Sequence, residues 1–70
     1  MKITVNGEVQ SLDQNQLSVA SLLKINEVEM PDMVSVQLNG EFVDKQAYQS
    51  TLISENSEID FLYFMGGGAL

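Results

Sequence analysis

The chain has 70 residues, 44% apolar and 19% charged, with no Cys, His or Trp. This length allows one domain with a small core, burying only about 60% of its unfolded surface. The missing residue types exclude disulfides, thiolate nucleophiles, the usual general base and the usual zinc ligands. No Asp-rich calcium loop appears either, and no metal site is expected. Ten acids oppose Lys2, Lys24 and Lys45, for a net charge of −7. That balance disfavours nucleic acid and anionic membrane and favours a basic protein partner, or simply keeps a small domain in solution.

Residues 1–6 alternate. Ile3 and Val5 point one way, Lys2 and Thr4 the other, as in a half-buried strand. There is no apolar leader segment and no run of membrane-spanning length, so a cytoplasmic protein is expected. Asn6-Gly7 is a two-residue hairpin signal, because a type I′ turn needs positive φ twice. Residues 8–12 return as a second strand, with Val9 its clearest apolar member.

The period changes over residues 17–25. Val19, Leu22 and Leu23 share one helical face, with Ser18 as N-cap and Leu17 and Leu22 at the staple positions. Asn26 and Pro31 mark the exit. Val34, Val36 and Leu38 form a third strand, Asn39-Gly40 a second turn, and Phe42-Val43 a brief fourth strand. Residues 44–54 have no clean period, apart from a short turn near residues 46–48. Residues 58–65 form the last strand, with Ile59, Phe61 and Tyr63 on one face and Asp60, Leu62 and Phe64 on the other. It is apolar on nearly every position, which predicts a central place, parallel to the first strand. The expected class is α+β, a mixed four- to five-stranded sheet on one main helix. Its expected core is Ile3, Val5, Val19, Leu22, Leu23, Val34, Val36, Leu38, Ile59 and Phe61.

Gly66, Gly67 and Gly68 follow this strand with no polar spacer, and Ala69 and Leu70 come next. A phosphate-binding loop needs a helix after its glycines, and only two residues remain. The chain therefore divides into a domain over residues 1–65 and a flexible Gly-rich tail over residues 66–70. Lacking Cβ atoms, such a tail can thread a narrow channel. Extended, residues 65–68 reach about 13–14 Å, enough to deliver an acyl end into another protein's active site. Leu62, Phe64, Met65 and Asp60 are the candidate partner surface beside it. Glu41, Asp44, Glu55 and Glu58 extend an acidic face toward a basic partner.

MKITVNGE, SVASLLK, VSVQLNGEFV and IDFLYFMGGG, in this order and spacing, resemble the ThiS/MoaD sulfur carrier family, and ThiS most closely. The resemblance spans essentially the whole chain. It implies a β-grasp, ubiquitin-like fold and a protein that is not an enzyme but a co-substrate, a monomer when free. It implies that a C-terminal Gly carboxylate, here Gly68 or alternatively Gly67, is adenylated by an E1-like activating enzyme using MgATP. No cofactor is bound by the carrier itself. Sulfur from a cysteine desulfurase type of donor then gives a thiocarboxylate, passed on to thiazole synthase for thiamine. Two departures stand out. The family's Gly-Asp before the last strand is Asn56-Ser57 here, and Asn tolerates the left-handed backbone. The second is that Ala69 and Leu70 follow Gly68, so Gly68 has no free carboxylate until they are removed. Carriers with such an extension resemble those trimmed by a JAMM-type metalloprotease. These serve a PLP-dependent sulfhydrylase in cysteine or homocysteine synthesis. A ubiquitin-like modifier and a plain β-grasp interaction domain are the alternatives of other classes.

Overall fold

A computed structural model describes residues 1–63 of the chain. Strand β1 (Lys2–Val5) buries Ile3 and Val5, and Asn6-Gly7 turns it back with φ of 52° and 84°, as a type I′ turn requires. Strand β2 (Glu8–Ser11) pairs antiparallel with it, Val5 opposite Glu8 and Thr4 opposite Val9. This register puts Val9 beside Thr4, on the face away from the core. Val9 is therefore exposed, and β2 contributes no fully buried apolar side chain.

A two-residue strand, β3 (Leu17–Ser18), leads directly into helix α1 (Val19–Ile25). Ser18 caps the helix as expected: its Oγ accepts from the Ser21 amide at 3.1 Å. The helix ends at Asn26. The Val28 amide reaches back to the Leu23 carbonyl at 2.9 Å and the Glu27 amide to Lys24 at 3.0 Å. These two bonds make a Schellman ending, and Glu27 occupies its left-handed position at φ 59°, where glycine is usual.

A 3-10 turn (Pro31–Met33) feeds β4 (Val34–Leu38). The second Asn-Gly turn, with φ of 53° at Asn39 and 88° at Gly40, leads to β5 (Glu41–Val43). A second 3-10 turn spans Lys45–Ala47, one residue earlier than the sequence suggested. Strand β6 (Leu52–Ile53) then pairs antiparallel with β3, a bridge the sequence reading omitted. The last strand, β7 (Glu58–Tyr63), lies at the centre of the order β2-β1-β7-β4-β5. It runs parallel to β1 and antiparallel to β4. This mixed five-stranded sheet wrapped on one helix is the β-grasp fold.

Val19, Leu22 and Leu23 of α1 pack on Ile3, Val5, Val34, Val36, Ile59 and Phe61 from the inner face of the sheet. Leu38 sits half-buried against this cluster. Three further members join it: Leu17, just before α1, and Tyr48 and Ile53, from the segment without a clean period. Asn56 does adopt left-handed backbone, at φ 67°, so the family's glycine is replaced here without loss of the turn. No helix among the described residues is long and apolar enough to cross a membrane.

Candidate docking face on the central strand

The candidate tail, residues 66–70, follows β7 in the chain, so the site is built on how β7 is held. It pairs on both sides, and both Asn-Gly turns grip it as well. The Asn6 amide donates to the Ile59 carbonyl at 2.9 Å, and Asn6 Oδ1 accepts from the Phe61 amide at 2.8 Å. β1 has ended at that point, so the side chain supplies the acceptor that the strand no longer offers. On the other side the Asn39 amide donates to the Glu58 carbonyl at 2.7 Å, and Asn39 Oδ1 accepts from the Glu58 amide at 2.8 Å. Each asparagine thus makes a turn and anchors the central strand. The second role needs the tertiary pairing and has no local signal.

Period two divides β7 between two tasks. Ile59 and Phe61 are buried beneath α1, whereas Glu58, Asp60 and Leu62 lie on the open face of the sheet. Leu62 is 44% exposed. Across the sheet Leu62 stands opposite Ser35, and Asp60 opposite Gln37, which in turn stands opposite Phe42. Phe42 is 66% exposed and was not picked out from the sequence, because only the β4–β5 register brings it to this face. Tyr63 is on the inner side by period, opposite the buried Val34, yet it is itself exposed.

The open face therefore carries Val9, Leu62 and Phe42 separated by the polar row Thr4, Glu58, Asp60, Ser35 and Gln37. Exposed apolar groups with a polar surround suit a protein partner. The predicted acids do not form one surface. Glu58 and Asp60 share this face, and Glu41 and Asp44 flank Phe42 in a depression of about 310 Å³ at the β5 edge. Glu55 lies before β7, its Oε2 accepting from the Lys2 amide at 3.0 Å. Phe64, Met65, Gly66, Gly67, Gly68, Ala69 and Leu70, all named from the sequence, lie outside the described residues.

On the inner side, Tyr48 is buried against the core. Its hydroxyl donates to the Val34 carbonyl at 2.9 Å. Burial pushes the phenol above its ordinary value of 10.0, with the Val36 backbone acting weakly in the opposite sense.

A small β-grasp module with its final strand central, one open face and a glycine tract after that strand belongs to the class of ubiquitin-like carriers. The ThiS family model matches residues 3–68, and the chain belongs to the ThiS family. The match runs through the glycine tract and leaves Ala69 and Leu70 beyond it. The crystal structure of a thiamine biosynthesis protein (ThiS) from Geobacter metallireducens is 39% identical. It covers 97% of this chain and 100% of its own, with a TM-score of 0.87. An NMR solution structure of a thiamine biosynthesis protein from the same organism is also 39% identical. It covers 100% of this chain and 91% of its own, with a TM-score of 0.80. No curated protein matches the chain significantly.

Proposed function

We propose that this protein is a sulfur carrier for thiamine biosynthesis, a co-substrate whose reactive group is the carboxylate of Gly68. The observation that carries this reading is the family match, which begins at Ile3 and stops at Gly68. The open face of β7, with Leu62 and Phe42, docks on an E1-like activating enzyme. The glycines then enter its active site, where missing Cβ atoms leave the acyl carbon uncrowded. The Gly68 carboxylate attacks the α-phosphorus of ATP and pyrophosphate leaves, giving an acyl adenylate. The terminal sulfur of a persulfide on a cysteine desulfurase type of donor then attacks the acyl carbon and expels AMP, leaving an acyl disulfide. A second thiol of the partner proteins attacks the donor sulfur of that bond, forming a partner disulfide and releasing the carrier's thiocarboxylate. The resulting thiocarboxylate passes its sulfur to thiazole synthase. The partners supply the catalytic groups, consistent with a chain that has no Cys or His.

The Gly68–Ala69 peptide bond must be hydrolysed first, and a JAMM-type metalloprotease is the proposed agent. That bond also favours a second reading. In it the acceptor is a PLP-dependent sulfhydrylase in cysteine or homocysteine synthesis, where extended carriers are used.

Intact-mass analysis tests both parts. Protein ending at Gly68, given activating enzyme, MgATP and a sulfur source, gains the mass of one oxygen-to-sulfur exchange. No exchange under these conditions would refute the carrier reading. Thiolation of full-length chain with Ala69 and Leu70 still attached would refute trimming at Gly68. Transfer of sulfur to thiazole synthase but not to the sulfhydrylase, or the reverse, separates the two acceptors.

A further inference from the structure

On the side of the molecule away from the open sheet face, a groove of about 430 Å³ lies between α1 and the Lys45–Ala47 turn. Its volume falls within the range of small-molecule sites, about 300–1,000 Å³. Leu23 and Val28 contribute apolar lining. Tyr48 also lines it, and the Tyr48 hydroxyl is committed to the Val34 carbonyl, so the ring offers mainly carbon to the groove. Lys24 and Lys45 both line it as well. Lys45 Nζ donates to the Asp32 carbonyl, which ties its ammonium to this place. Two of the chain's three cations thus meet at one groove, against the single carboxylate of Asp32, in a molecule of net charge −7. Within an acidic molecule, two lysines against one lining carboxylate give this groove a local excess of positive charge that favours an anion. None of its lining residues belongs to the docking face of β7.

We propose that this groove binds a small amphipathic anion, an apolar body about the size of one ring bearing a carboxylate or a phosphate. The ring packs on Leu23, Val28 and Tyr48, and the anionic group is held by Lys24 and Lys45.

The test is an NMR titration of the ¹⁵N-labelled full chain at constant ionic strength. The probes are phenyl phosphate and phenylacetate, with inorganic phosphate and benzyl alcohol as comparators. Saturable shifts are expected at the amides of Leu23, Lys24, Val28, Lys45 and Tyr48 with at least one of the two ring-bearing anions. Whichever binds more tightly assigns the head group. Lys24→Gln weakens that binding about tenfold, the loss of one charge-assisted hydrogen bond. Lys24 is exposed, so this variant keeps the fold and the test stands even if Lys45→Gln disturbs the Asp32 contact. The proposal is overturned if neither anion gives saturable shifts at these residues. It is equally overturned if benzyl alcohol or inorganic phosphate binds as tightly, or if Lys24→Gln leaves the affinity unchanged.

Discussion

The two faces of β7 are made by the same six residues and meet different fates. Ile59 and Phe61 are closed over by Val19, Leu22 and Leu23, while Glu58, Asp60 and Leu62, one position away, face outward. The inner face spends its side chains on stability. The outer face leaves apolar surface uncovered, which contributes little to stability and suits recognition. Placing both on the central strand couples them: the strand that most needs to be held is the one that carries the tail. Under the proposed function, a small domain thus presents its docking face, and the acyl arm that follows it in the chain, from a strand paired on both sides.

That contrast can be broken most forcefully from the inside. Ile59→Ala should destabilise the domain by about 2–5 kcal/mol, because a fully buried residue leaves a cavity. Urea unfolding monitored by circular dichroism would measure it, and a loss below about 1 kcal/mol would mean the core is not closed over β7 as described.

Asn6→Gly tests the grip on the strand. Glycine accepts the left-handed turn but removes the acceptor for the Phe61 amide, so a cost of about 1–2 kcal/mol is expected. Asn6→Asp, which keeps both the acceptor and the turn, should recover most of it in the same melts. Equal losses in the two variants would assign the effect to the turn alone.

Tyr48→Phe probes the buried hydroxyl on the inner side and should cost about 1 kcal/mol near neutral pH. It also has a pH signature. The folded phenol titrates above its ordinary value of 10.0. The unfolded chain therefore releases its proton first as pH rises. The stabilising contribution of the neutral phenol is fully present below about pH 10 and is lost as pH climbs through the folded value. Thermal melts across alkaline pH should decline less steeply in the Phe variant. Parallel declines would mean that Tyr48 ionises no differently in the two states.

The smallest effect on stability belongs to the outer face. Leu62→Ala and Phe42→Ala should each shift stability by no more than about 0.5 kcal/mol. Each should nevertheless weaken docking on the activating enzyme by about 1–2 kcal/mol, measured by calorimetry with the purified partner. Unchanged affinity in both would remove the open face from the interface and leave recognition to the tail.

Much of this was readable in the chain because the causes are local. Period-two runs gave β1, β4 and β7, two Asn-Gly pairs announced two type I′ turns, and Ser18 capped the helix it precedes. The outward places of Asp60 and Leu62 follow from the same alternation. Val9 was legible as the clearest apolar member of β2, but its outward place follows only from its register with Thr4. Phe42 escaped notice as part of the face because its position depends on pairing across β4.

What the sequence determined by itself is the order of elements, the handed turns and which residues of each strand share a face, since each is set by neighbours a few positions apart. Only the tertiary structure decided the β3–β6 bridge, whose two-residue strands are too short to show a period. It alone closed Ile53 and Tyr48 into the core. It alone gave Asn6 and Asn39 their second role as anchors of β7. These features join residues distant in the chain, and their energy exists only once the sheet and helix have closed on one another.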